Sequence, residues 1–187
     1  AVGILIGLYL YSRKKPDQSY LWTFDRVVIV VALAGCFIRF GNLMNSEIIG
    51  NPTDLPWSFY FYQNYEHTKD HHHPPQLYEA MSESIVEYEG RVYLPHHPAQ
   101  LYESISCLLL FFLLYYIYNK AKAKTPQGKI FGLFLIMIFG LRFFYEFLKE
   151  NQVAFEEGMV LNIGQLLSIP LVITGVILLI RSYKNGK

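Results

Sequence analysis

Apolar segments whose flanking charges alternate in sign constrain this chain more than any other feature. Five apolar runs cover residues 1–11, 27–38, 101–118, 130–148 and 161–180. A bilayer core needs roughly 20 apolar residues of helix, because unpaired backbone groups cannot be left in hydrocarbon. Arg13, Lys14 and Lys15 follow the first run, Lys120, Lys122, Lys124 and Lys129 separate the third from the fourth, and Arg181, Lys184 and Lys187 follow the last. The connection after the fourth run instead carries Glu150, Glu156 and Glu157. Basic loops stay cytoplasmic, so one topology satisfies every connection, with residue 1 outside and residue 187 in the cytoplasm. Arg39, the loop 41–100 and the end of the fourth run then share the external face. The expectation is an all-α polytopic membrane protein with about five membrane segments and a small periplasmic head between the second and third.

Composition agrees. Hydrophobic residues make up 52% of the chain while charged residues still make up 17%, so charge is segregated into connections and not spread over a water-facing surface. A net charge of +1 argues against a nucleic-acid partner. Cys36 and Cys107 lie in apolar surroundings and read as small hydrophobes, with no disulfide or metal framework. The first run is apolar from Ala1, has no basic lead and would span only about 16 Å as a helix. It reads as the end of a longer helix, so residues 1–187 are expected to be a single membrane domain forming part of a larger protein.

The loop 41–100 is too long and too rich in Tyr, Trp and His for a bare linker, and reads as a head lying on the membrane. It contains an imperfect repeat: His73-Pro-Pro-Gln-Leu-Tyr-Glu79 recurs as His97-Pro-Ala-Gln-Leu-Tyr-Glu103. The second copy runs into the third apolar segment, which makes His97 or Pro98 the helix start and puts Gln100 and Glu103 on one face of the first turn. His71, His72 and His73 point different ways and read as a solvated loop in place of a metal site. Pro170, inside the last run, predicts a kink.

Polar chemistry concentrates at the ends of the spans. Ile38-Arg-Phe-Gly-Asn-Leu-Met-Asn-Ser-Glu-Ile-Ile-Gly50 places Arg39, Asn42, Asn45 and Glu47 directly after an apolar run. An ionisable group costs about 2.5–3.5 kcal/mol at a helix centre, so such groups persist where they pair or bind a polar ligand. A lone Arg39 would snorkel to the interface. With two Asn beside it, its planar fork suits a phosphate oxyanion. Gly140-Leu-Arg-Phe-Phe-Tyr-Glu-Phe147 supplies a second arginine, with Arg142 and Glu146 at i, i+4. They either neutralise each other or free Arg142 to meet Arg39 on one anion. Gln165, opening the last run, adds a polar group at similar depth.

These four blocks, Arg39 to Gly50, His97 to Glu103, Arg142 with Glu146, and Gly164-Gln-Leu-Leu-Ser-Ile-Pro170, resemble bacterial prolipoprotein diacylglyceryl transferases in content and order. The departures are Ile38, where the family has Gly, Leu43, where it has Phe, and Ile138, where a Tyr is common. The family's His-Gly motif, whose His is a proposed base, would fall a few residues before Ala1. The resemblance implies transfer of a diacylglyceryl group from phosphatidylglycerol to the lipobox cysteine thiol of a prolipoprotein, at the periplasmic face of the bacterial inner membrane, without metal or cofactor. It implies Arg39, Arg142 and Glu47 as catalytic, with Glu47 fixing Arg39 or another cation. It implies substrate contacts from Arg39, Asn42, Asn45, Gly50, His97, Gln100, Tyr102, Glu103, Glu146 and Gln165. The partners implied are phosphatidylglycerol, lipobox signal peptides and the bilayer. The alternative is a transporter or channel for an anionic solute, which would place polar residues through the depth of several spans. Here they cluster at the outer ends.

Overall fold

The computed structural model describes residues 2–15, 17–62, 75–149 and 161–185. Among the described residues six α-helices carry the fold: α1 (Val2–Lys14), α2 (Tyr20–Met44), α3 (Pro75–Ala80), α4 (Ala99–Ala121), α5 (Lys129–Tyr145) and α6 (Ile163–Asn185). A 3-10 turn, Glu146–Leu148, prolongs α5. Among the described residues four helices are long and apolar enough to cross a membrane: Tyr20–Met44, Ala99–Ala121, Lys129–Leu148 and Ile163–Lys184. The first apolar run forms the 13-residue α1, about 20 Å long and short of a full crossing. The expected count of five therefore rests on α1 alone.

The second run is longer than its apolar stretch. Ser19 caps α2 by accepting a hydrogen bond from the Trp22 amide, and the helix continues through Arg39 to Met44. Arg39 thus sits inside the last turns of a helix, not in the loop after it. Polar Arg39 and Asn42 can remain helical because the backbone ladder is intact and the Arg39 side chain has a carboxylate partner, described below.

The core lies where α2, α4 and α5 meet, with Val28, Ala32, Leu110, Leu114, Ile130 and Leu135 among its buried residues. At one end the buried Asp25 of α2 accepts hydrogen bonds from the amides of Gly128 (2.7 Å) and Phe131 (2.8 Å), capping the start of α5 across 103 residues of sequence. α6 packs on α5 through Gly132 and Gly175. A Cβ on either would lie 2.8 Å from the other's carbonyl oxygen, so only glycine permits this approach. α2 and α4 are joined by the Ser104 hydroxyl donating to the Cys36 carbonyl at 2.9 Å. Val30, Phe37, Leu109, Leu167 and Ile177 remain outward-facing and exposed, an apolar surface that suits lipid and not water. Pro170 lies within α6. Its carbonyl accepts from the Thr174 hydroxyl at 2.8 Å.

Between α2 and α4 the chain is not purely helical. Strands β1 (Val86–Tyr88) and β2 (Arg91–Tyr93) pair antiparallel across Glu89 and Gly90, both at positive φ (51° and 70°), the geometry of a two-residue hairpin turn. The all-α reading missed this hairpin, because three-residue strands leave almost no periodic signal. The first copy of the His-Pro repeat is described only from Pro75, where α3 begins. The triple His71, His72 and His73, together with Glu150, Glu156, Glu157 and Lys187, lies outside the described residues.

Candidate active site

Three segments cross at Gly50. Its amide donates to the His97 carbonyl (3.1 Å), the Asn51 amide donates to the Leu148 carbonyl (2.8 Å), and the His97 amide donates to the Asn51 carbonyl (3.0 Å). A Cβ on Gly50 would stand 2.6 Å from His97 Cβ and carbonyl oxygen and 2.8 Å from the Leu148 carbonyl oxygen. Only a residue without a side chain fits there. The crossing ties the exit of α2 to the start of α4 and the end of α5.

The loop that reaches this crossing is strained. Ser46 and Ile48 have φ of 54° and 57°, and a β-branched residue rarely accepts that conformation. Such strain costs of order 1–3 kcal/mol and persists where surroundings enforce it. Here the turn is held by the amides of Ser46 and Glu47, which donate to the Leu43 (3.1 Å) and Asn42 (2.9 Å) carbonyls, and by the fully buried Gln100, whose amide donates to the Glu47 carbonyl at 2.6 Å.

The crossing delivers Lys149, paired across the backbone with Gly50, into a buried charge cluster. The Lys149 ammonium is 2.5 Å from Glu103 Oε1 and 3.6 Å from Glu146 Oε2, with only 4% of its side chain exposed. The second oxygen of Glu103 takes the Arg39 Nε at 2.5 Å. Glu103 therefore fixes Arg39 through Nε, which leaves the terminal guanidinium nitrogens of Arg39 to face elsewhere. Arg39, Lys149, Glu103 and Glu146 cancel formally in charge.

Arg142 stands outside that balance. It is exposed and, among the described residues, makes no ion pair or hydrogen bond. Glu146, its i, i+4 neighbour, turns instead toward Lys149 and packs over Gly164, where a Cβ would meet its carboxylate at 2.6 Å. Arg142 and Arg39 line one cavity of about 160 Å³ with Glu103, Ser106 and Tyr145; Cys107, Ile138, Phe139 and Leu141 form its less polar wall. Among the described residues one formal positive charge is thus uncompensated at a concave site, which is what an anion needs.

Of the residues expected from sequence, the structure brings Arg39, Glu103 and Arg142 to this cavity and joins Glu146 to Glu103 through Lys149. Others lie apart from its wall. Glu47 is exposed, and the carboxylate on Arg39 is Glu103, which the packing of α4 against α2 presents at contact distance. Asn45 closes α2, its amide donating to the Gly41 carbonyl at 2.9 Å, and Asn42 is half-buried one turn beyond Arg39. Gln165 is buried in a capping box: its Oε1 accepts from the Asn162 amide (3.1 Å), while its own amide donates to Asn162 Oδ1 (2.9 Å). Its Nε2 donates to the Phe143 carbonyl at 3.4 Å, so the side chain is occupied in joining α6 to α5. Gln100 is likewise spent on the loop backbone. His97 Nδ1 lies 3.4 Å from the Tyr102 hydroxyl, which accepts from the exposed Trp57 indole at 2.9 Å. Burial, with His96 beside it, holds the His97 imidazole below its ordinary range.

Sequence reasoning missed Lys149. A signal existed: it is the sole basic residue between Arg142 and Arg181, in a connection that is otherwise acidic. A cation on the wrong side of the charge rule is one held by specific partners.

Comparison with known proteins adds an independent line. The family model for prolipoprotein diacylglyceryl transferase matches residues 1–181. The chain is similar to the phosphatidylglycerol–prolipoprotein diacylglyceryl transferase of Tolumonas auensis, 39% identical over 98% of this chain and 60% of the relative. It is similar to the transferase of that name from Bacteroides fragilis, 41% identical over 94% of this chain and 53% of the relative. Against that of Chloroherpeton thalassium it is 38% identical over 100% of this chain and 59% of the relative. The chain spans between about half and three-fifths of the length of these curated relatives.

Proposed function

The chain belongs to the prolipoprotein diacylglyceryl transferase family, and on that premise we propose that it carries the phosphate-holding part of such an enzyme. The reaction moves a diacylglyceryl group from phosphatidylglycerol to the thiol of a prolipoprotein's lipobox cysteine. The observation that supports this most is the shared cavity of Arg39 and Arg142, one guanidinium pinned by Glu103 and the other without an ion-pair partner among the described residues.

The chemistry follows from that charge pattern. The sulfur electron pair forms the new S–C bond as the C–O bond to phosphate breaks. The bonding electrons pass to the phosphate oxygen, and the thiol proton leaves to a base or to water. Charge builds on the leaving phosphate, so prepositioned donors there lower the barrier. Arg142 supplies the charge that no described carboxylate pairs, and Arg39, held through Nε, presents its remaining donors in a fixed plane. Glu103, Lys149 and Glu146 act by holding Arg39 and the crossing in place. Asn42, one turn beyond Arg39 on α2 and outside the cavity wall, meets the head-group glycerol beyond the phosphate in this reading. The cavity opens at the external face in this reading, toward the compartment where lipobox signal peptides emerge.

Arg142→Gln in the full-length protein tests it. Arg142 is exposed and pairs with no described carboxylate, so its removal strands no described buried charge and the variant should fold as the parent does. Thioether formation on a lipobox peptide, with phosphatidylglycerol vesicles as donor, should fall by about 100-fold or more. Near-parental transfer would reduce Arg142 to a surface residue and remove the basis of the reading.

A further inference from the structure

Two neutral side chains complete the cavity wall, and neither enters the charge pairing. Ser106 lies one turn beyond Glu103 on α4, and Tyr145 one turn beyond Arg142 on α5, so two i, i+3 pairs meet at the cavity. The two hydroxyl oxygens are 2.6 Å apart, and either can be the donor. Two hydroxyls carry two protons, and the bond between them uses one. Among the described residues neither oxygen makes another hydrogen bond. Among the described residues one O–H is therefore unspent beside two guanidiniums, against a wall of Cys107, Ile138, Phe139 and Leu141.

We propose that the Ser106–Tyr145 pair is a third donor of the anion site, giving its unspent proton to a phosphate oxygen of the lipid held by Arg39 and Arg142. The inference deepens the functional reading above and rests on it. Two guanidinium forks supply charge in two planes, while a phosphodiester presents acceptor oxygens in several directions. A hydroxyl pair supplies a neutral donor from a further direction without adding a cation that would repel the arginines. Because either oxygen can release the shared proton, the pair can turn its free O–H toward the ligand and keep the bond between α4 and α5. In a largely apolar recess such a donor gains more from meeting an anion than it would in water.

The experiment measures lipobox-peptide transfer with phosphatidylglycerol vesicles, using the full-length protein carrying Tyr145→Phe, Ser106→Ala or both. A hydrogen bond to a charged group is worth about a 10- to 100-fold change, so each single variant should lose transfer by that factor. The double variant should lose little more, because a hydroxyl without its partner is no longer held toward the ligand. Ser106→Thr, which keeps the hydroxyl, should restore transfer lost in Ser106→Ala. A purely structural brace would lower the unfolding temperature in step with activity, whereas a donor role lowers transfer at a parental unfolding temperature. Tyr145→Phe within twofold of the parent, with Arg142→Gln inactive, would overturn the donor role and leave the phosphate reading standing. Activity in both variants would overturn the two together. If Tyr145→Phe fails to fold, Ser106→Ala decides the question: lost transfer at a parental unfolding temperature supports the donor, and parental transfer overturns it.

Discussion

Lys149 and Arg39 share one carboxylate, and the consequences differ for each. Lys149 is enclosed, with Glu103 and Glu146 as its partners. Lys149→Met keeps the stem volume but leaves two buried carboxylates against one guanidinium. Breaking a buried pair from one side costs about 3–5 kcal/mol, so the variant should show a clear drop in unfolding temperature, and Lys149→Arg should recover most of it. Arg39 is bound at Nε, with 24% of its side chain exposed. Arg39→Lys retains the charge yet has one nitrogen to divide between Glu103 and a phosphate. Transfer should therefore fall by at least about tenfold with folding intact, since a point charge cannot reproduce the fork. Equal turnover by the Lys variant would show that charge alone suffices.

Elements are set against each other by glycine as much as by apolar packing. Gly132 and Gly175 let α5 and α6 approach to carbonyl contact, and Gly50 lets three segments cross. At Gly50 the clashing atoms belong to backbone on both sides, so no side-chain rotation relieves them. Gly50→Ala should destabilise the protein by about 1–3 kcal/mol, the range for overpacking, and should reduce transfer further by moving Lys149 away from Glu103. Calorimetry and the transfer assay together check this, and an unchanged unfolding temperature would contradict the crossing as described. Gln100 serves the same junction from α4 by holding the strained turn at Ile48. Its role was legible only as polarity near a helix start, because nothing local records which backbone oxygen it will meet.

For the whole molecule the charge pattern predicts orientation. The Lys120–Lys129 connection should face the cytoplasm and the Arg39–Arg142 cavity the opposite side. A single cysteine at Lys124 should resist a membrane-impermeant maleimide in intact cells and react once the membrane is opened. Labelling in intact cells would invert the topology and place the cavity where lipobox peptides are not presented. The Asp25 cap fits this arrangement, since it binds the start of α5 at the end of α2 farthest from Arg39.

The sequence by itself determined the membrane class, the approximate spans and the two arginines, because hydropathy and charge segregation are properties of linear order. Motif order likewise pointed to the family that the comparisons support. What only tertiary structure decided is who partners whom. Glu103 and not Glu47 holds Arg39, Lys149 and not Arg142 meets Glu146, and Gln165 caps a helix and leaves the cavity to others. The Ser106–Tyr145 contact joins residues 39 apart in sequence. Each choice depends on helix rotation and on three close backbone approaches at Gly50, Gly132 and Gly175. Those approaches are set by packing between segments, which no local spacing encodes.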